Sequence, residues 1–158
     1  MSAPTGTTDP GTAGRLTPRR VSGLRRASFA AFVMLVVQFA LGIYVNLYVT
    51  LPSADHGHGL GQAITNGPAG LTVHIVLGLL LILSALGFVV QAILARQPAL
   101  IVAAVLGLLA MIGAAASGSS FTGSGRDSDS MAMAVLAAVG LLCYGTTLFL
   151  LPRPAARA

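Results

Sequence analysis

Charge divides this chain into long silent stretches. No charged side chain occurs between Arg26 and Asp55, between Asp55 and Arg96, between Arg96 and Arg126, or between Asp129 and Arg153. Each gap holds an apolar run long enough to cross about 30 Å of hydrocarbon as an α-helix. With 158 residues, 55% hydrophobic and 8% charged, the chain has too few charges for a water-facing surface, where about a quarter of residues are ordinarily charged. Lipid is the solvent such stretches require. A segment in lipid must satisfy its own backbone hydrogen bonds, and the strict alternation of a membrane barrel is missing. The expected fold is all-α, a four-transmembrane-helix bundle.

The runs place helices over Ser28–Thr50, Gly70–Ala95, Ala99–Ser117 and Ser130–Leu151. Pro52, Pro68, Pro98 and Pro152 fall just outside, where a proline removes no interior hydrogen bond. Residues 1–27 form a basic tail. Its first part, Met1–Thr17, is rich in Thr, Gly, Pro and Ala without apolar periodicity and reads as disordered. Residues 152–158 form a second tail. Arg19-Arg20 ahead of the first run is a feature shared with secretory signals. That run is far longer than the roughly 7–15 residues of a signal's apolar region, and no small-x-small cleavage pattern follows it. It reads as a retained anchor.

Arginine sets the orientation. Arg15, Arg19, Arg20, Arg25 and Arg26 precede the first run, Arg96 lies between the second and third, and Arg153 and Arg157 follow the fourth. Four crossings gather these on one side and leave Arg126 on the other. The positive-inside rule then puts both termini in the cytoplasm, with the bundle in the plasma membrane. Arginine without lysine, aspartate without glutamate, and abundant Ala, Gly, Leu and Val point to a GC-rich bacterial genome. The net charge of +5 is explained by topology and anionic headgroups rather than by nucleic acid. Segments near Leu51–Ala69 and Gly118–Asp129 face outward. The inner connection, Arg96-Gln97-Pro98, is short enough to make the second and third helices antiparallel neighbours.

Between helices in lipid, small residues that permit close approach are informative. The third run places Ala103, Gly107, Ala110 and Ala114 on one stripe. The fourth offers Ala134, Ala138 and Gly145, and the second offers Gly78 and Ala85 in line with His74. Polar groups inside the runs, Gln38 and Asn46 in the first, His74 and Ser84 in the second, are expected to face the bundle interior and bond across it, or to touch a substrate or quinone. The lone Cys143 excludes an internal disulfide and reads as a small buried hydrophobe.

Three residues carry ligand-like chemistry. His74 lies about one turn inside the second helix, and its step to Gly78 leaves room beside the imidazole for a flat ligand such as haem b. His56 and His58, in Asp55-His56-Gly57-His58-Gly59, pair two imidazoles on flexible backbone. Topology brings Asp127, Asp129, Met131 and Met133 to the same side. Imidazole and carboxylate suit zinc or Cu(II), and thioether suits Cu(I). A bonded histidine at 74 and a solvated hinge at 55–59 account for the same residues without a cofactor. The phosphate-loop, serine-hydrolase and zinc-protease motifs are missing, and no charge sits at mid-bilayer, where proton-coupled transport needs one.

The stretch Gln38–Pro52, QFALGIYVNLYVTLP, with Val73-His74-Ile75-Val76-Leu77-Gly78-Leu79, Gly118-Ser119-Ser120-Phe121 and Ser130-Met131-Ala132-Met133-Ala134, resembles a group of small uncharacterised four-span membrane proteins of bacteria and archaea. The likeness covers about Ser28–Leu151 and implies the same fold without an activity. Gln38, Leu41-Gly42 and His74 are also similar to part of one four-helix half of haem A synthases, which implies a haem ligand at His74. The fourth helix here has no second histidine, and the first outward loop has no cysteine pair.

Three functional classes stay open. The leading one is a non-enzymatic accessory or assembly component, working with another membrane protein or as a homo-oligomer. The others are a haem- or copper-binding redox protein and a small oligomeric transporter or channel. The orientation itself is directly testable. In a Cys143→Ala background, single cysteines at His58 and at Ala155 are expected to react with a membrane-impermeant maleimide from opposite faces of the membrane. Labelling of both from one face would require an odd number of crossings.

Overall fold

The computed structural model describes residues 18–49, 64–65 and 67–151. They form four helices: α1, Pro18–Tyr48; α2, Ala69–Ala95; α3, Pro98–Ser124; and α4, Asp127–Leu150. All four are long and apolar enough to cross a membrane. Their outward faces are apolar too, with Leu83 on α2 65% exposed, and Leu142 and Phe149 on α4 71% and 85% exposed. A soluble monomer tolerates only a few hundred Å² of contiguous apolar surface. Lipid covers these faces, and the chain is a multi-pass membrane protein.

The helices run up and down around a ring. Each packs on its neighbours in sequence, α4 returns to α1, and the α3–α4 seam is the most extensive. One end of the bundle carries the α1–α2 and α3–α4 connections; this is called the loop end. The other, the tail end, carries the α2–α3 connection, the start of α1 and the end of α4. Only Arg96 and Gln97 link α2 to α3. Arg96 adopts a left-handed φ of 53°, and its N–H donates to the carbonyl of Ile93 at 3.0 Å. Pro98 then opens α3, where its missing N–H would be unpaired in any case. The antiparallel α2–α3 pair expected from this short connection is present.

Three helix ends differ from the sequence expectation. The first helix begins at Pro18 instead of Ser28, so Pro18–Ala27 of the basic segment 1–27 is helical. Charge was the wrong place to stop it. Leu24 is 4% exposed and shares a core with Ala95 and Leu151, and Ser28 is 0% exposed. Tail-end packing thus continues the helix through Arg25 and Arg26. The 31 residues of α1 span about 46 Å at 1.5 Å per residue, more than the hydrocarbon alone requires.

The third helix runs past Ser117 to Ser124, and the fourth begins at Asp127 instead of Ser130. The polar run Ser117–Ser120 stays helical, with the hydroxyl of Thr122 donating to the carbonyl of Ser119 at 2.8 Å. Gly125 ends α3 at a φ of 64°, where a side chain would be strained, and its N–H donates to the carbonyl of Phe121. Asp127 and Asp129 occupy the first turn of α4, where the helix dipole favours negative charge. The expected outward segment Gly118–Asp129 therefore contracts to a two-residue link, Gly125-Arg126.

Large side chains seat themselves over glycines of neighbouring helices. Tyr144 is 0% exposed and stacks obliquely on Phe88, with ring centroids 5.6 Å apart. It presses on Gly107, where an added Cβ would lie 2.9 Å from the tyrosine ring. Leu136 lies 3.0 Å from such a Cβ on Gly113, and Phe32 lies 3.5 Å from one on Gly145. Of the expected α3 stripe, Gly107 and Ala110 are buried while Ala103 and Ala114 are half-buried, and Ala85 on α2 is buried. The α4 stripe is different. Ala134 and Ala138 are exposed, and the buried line is Gly140, Tyr144 and Thr147. The bulky member, Tyr144, is the knob, and the smaller partner is on α3. Cys143 is half-buried beside Gly107 rather than enclosed.

These seats predict a matched contrast. Gly107→Ala overpacks the α3–α4 seam and is expected to destabilise the bundle by about 1–3 kcal/mol. Gly87→Ala, at a position with nothing within 4 Å of the new methyl, is expected to be neutral or stabilising by up to about 1 kcal/mol through helix propensity. Thermal unfolding in detergent compares the two; equal melting temperatures would show that the Gly107 seat is not close-packed.

Candidate functional site

Two helices build the polar part of the site by the same device. On α1, Gln38 precedes Gly42 by four residues; on α2, His74 precedes Gly78 by four. Residues four apart lie on one helix face. Antiparallel pairing then sets each polar side chain against the other helix's glycine. An added Cβ on Gly42 would lie 3.1 Å from Cε1 of His74, and one on Gly78 would lie 3.1 Å from Nε2 of Gln38. Nε2 of Gln38 donates to the main-chain carbonyl of His74 at 2.8 Å. Nearer the loop end, Tyr44 covers Gly70, with its ring 3.3 Å from an added Cβ.

The bond across α1 and α2 fixes the glutamine. The amide atom facing a carbonyl must be the nitrogen, so Oε1 is the atom turned elsewhere. Oε1 of Gln38 is sealed and has no hydrogen-bond partner, and the same is true of Nδ1 of His74. Most buried polar atoms are paired, and leaving one unpaired costs about 1–3 kcal/mol.

Both side chains line a cavity of about 240 Å³ walled by all four helices in the loop-end half of the bundle. It extends on α1 from Leu35 to Asn46 and on α3 from Met111 to Thr122, about 16 Å at 1.5 Å per residue. Most of the wall is apolar, including Phe39, Ile75, Phe121 and Ala137. Polar groups sit at two levels. Gln38 and His74 are deep, and Asn46, Thr122 and Ser130 lie toward the loop end. The hydroxyl of Ser130 donates to Oδ1 of Asn46 at 3.2 Å, tying α4 to α1. Among the described residues no acidic, arginine or cysteine side chain lines the cavity.

The structure sorts the sequence candidates. Gln38 and Asn46 do bond across the bundle, to α2 and α4 respectively. At His74 the cross-helix acceptor is the main-chain carbonyl, and the imidazole is left without that bond. The room beside Gly78, expected to admit a flat ligand, is filled by the Gln38 amide. His56 and His58 lie outside the described residues. Asp129 is held at the head of α4, accepting from Ser124 Oγ at 2.8 Å and pairing with Arg126 Nε at 3.3 Å. Among the described residues no three His, Cys, Asp or Glu side chains gather as a metal site.

A porphyrin does not fit this seat. One edge of the imidazole lies on Gly42, the Gln38 amide covers Gly78, and the two methionines of the cavity wall are themselves packed, Met133 on Gly118 and Met111 against Gly140. At about 240 Å³ the space is smaller than the roughly 300–1,000 Å³ of sites for drug-sized ligands.

Met111, Thr122 and Ser130 are wall residues that the sequence did not single out. The paired Gln-x-x-x-Gly and His-x-x-x-Gly spacings on consecutive helices were the available signal for the seat itself. The fold and site define a four-helix membrane bundle with an internal, neutral, mostly apolar cavity. The chain matches no protein-family model, no curated protein and no solved structure.

The reciprocal seat makes a coupling testable. Gly78→Ala crowds the Gln38 amide and is expected to destabilise the bundle by about 1–3 kcal/mol. In a Gln38→Ala background the same change should have little further effect. A double-mutant cycle on thermal unfolding measures the difference; additive effects would mean that the two side chains do not share the space.

Proposed function

We propose that this chain is a non-enzymatic integral membrane protein that holds a small neutral molecule within the bundle, serving as an accessory component of the membrane in which it sits. One observation carries this reading: the four-helix cavity into whose wall the sequence has built Gln38 and His74, each with a buried polar atom left unpaired. Natural interiors rarely leave such atoms without a partner. A resident molecule supplies one. Among the described residues the wall offers His74 as its single ionisable side chain of the usual acid–base kind, with no carboxylate, lysine or cysteine beside it, which is a poor set for acid–base or nucleophilic catalysis.

The arginine distribution supports a reading in which both tails face the cytoplasm of a bacterial cell and the cavity lies in the outward half of the plasma membrane. A molecule there is reached from the outer leaflet. Tyr44 and Tyr48, exposed at the loop end of α1 with ring centroids 5.5 Å apart, suit the interfacial belt on that side.

Native mass spectrometry of the full chain, released gently from detergent micelles, tests the reading. The wild type is expected to carry a small molecule through purification. Ala137→Leu, which fills the cavity, should lose it while melting higher by the equivalent of about 0.5–2 kcal/mol, as cavity-filling changes commonly do. A bare wild-type chain that melts at the same temperature after repeated delipidation would rule the reading out.

A further inference from the structure

We infer that the molecule held in the cavity presents a neutral hydroxyl group to Gln38 and His74, so that the site selects lipid-soluble alcohols or phenols over the corresponding ethers and ketones. This rests on the proposal that the cavity binds a small molecule and adds its chemical class.

The inference follows from what each unpaired atom can accept. Nε2 of Gln38 is committed to the His74 carbonyl at 2.8 Å. The remaining atom, Oε1, is a pure acceptor. It is sealed and unpaired, so the group that satisfies it must bring a proton. A carbonyl or ether oxygen cannot do so. Nδ1 of His74, also sealed and unpaired, gives or takes a hydrogen bond according to its tautomer. A hydroxyl that donates its one proton to Oε1 keeps its lone pairs for Nδ1–H, so a single group serves both atoms when the imidazole carries its hydrogen on Nδ1. The terminal torsion of glutamine is broad, and the same side chain forms part of the cavity wall, so a ligand engages Oε1 with a turn of the amide plane about that torsion.

Charge is excluded on the ligand's side. Among the described residues no carboxylate or arginine lines the cavity, and an unpaired charge at this depth is costly in a bilayer. An ammonium would bring a proton but no counter-ion awaits it. Phe39 and Phe121 in the wall give an aromatic ring something to pack against. At about 240 Å³ the cavity is below the roughly 300–1,000 Å³ of sites for drug-sized ligands, which favours a molecule smaller than those.

Three probes of matched shape decide the matter: para-butylphenol, its methyl ether para-butylanisole, and para-butylcyclohexanol. Binding to the delipidated full chain in detergent is read by the shift in melting temperature across a concentration series, and by the imidazole nitrogen resonances of nitrogen-15-labelled His74. The phenol is expected to bind about tenfold more tightly than the ether and to move the His74 resonances. Gln38→Met should erase the preference, and Ala137→Leu should erase binding of all three. The cyclohexanol separates aromatic from saturated alcohols: binding like the phenol means that the hydroxyl alone is read, and weaker binding means that the ring is read as well. Both results support the inference.

Equal affinity of phenol and ether in the wild type overturns the hydroxyl assignment and leaves the cavity reading standing. The absence of any shift with all three probes, together with an unchanged profile in Ala137→Leu, overturns both. The wild-type comparison needs no substitution, so it holds even where Gln38→Met fails to assemble.

Discussion

Close approach of helix backbones governs this bundle. In lipid the solvent is as apolar as a leucine side chain, so burying leucine against leucine gains little, and van der Waals fit has to hold the helices together. The chain achieves fit by setting bulky groups of one helix over glycines of the next. Tyr144 over Gly107, Leu136 over Gly113 and Met133 over Gly118 fasten α3 to α4; His74 over Gly42 and Gln38 beside Gly78 fasten α1 to α2; Phe32 over Gly145 brings α4 back to α1. Each seat removes a methyl's worth of distance between axes. Where knobs are large and rigid, as around Tyr144 in the tail half, the interior is filled. Where alanines line the interior, at Ala114, Ala115, Ala134 and Ala137, it is not, and the cavity lies there.

Polar groups follow a second constraint, the absence of water to satisfy them. Several hydroxyls in the helices solve it locally. Ser84 donates to Leu80 at 2.8 Å, Thr146 to Leu142 at 2.6 Å and Thr147 to Tyr144 at 2.6 Å, all to carbonyls of their own helix. Such bonds need no partner helix and carry no information about a ligand. Gln38 and His74 cannot be satisfied in this way because their polar atoms stand further from their own backbone. The hydroxyls of Ser28 and Tyr144 are also buried and unpaired but lie outside the cavity wall, whereas Gln38 and His74 line it, and that is why the functional proposal rests on these two.

Several features could be read before any coordinates. The four apolar stretches, the short Arg96-Gln97 link and the inward role of Gln38 follow from charge spacing and the demands of lipid, which are local properties. Helix ends were less legible. Leu24 extends α1 because it joins a core with Ala95 and Leu151, residues far away in sequence, and α3 stays helical through Ser119, whose carbonyl accepts from Thr122 in the same helix. The α4 stripe misled for a related reason. Small residues at helical spacing mark a face that permits approach, yet a helix can also supply the knob, as α4 does with Tyr144.

The sequence by itself determined that this chain lives in lipid, crosses it four times and favours one orientation, because hydration of charge and backbone acts residue by residue. Only the tertiary structure decided that Gln38 takes the place beside Gly78 once assigned to a flat ligand, that the imidazole of His74 lies on Gly42, and that both border one cavity. Those outcomes depend on the relative height and rotation of neighbouring helices. Such quantities are set by packing between side chains on different helices, and no single run of residues contains them.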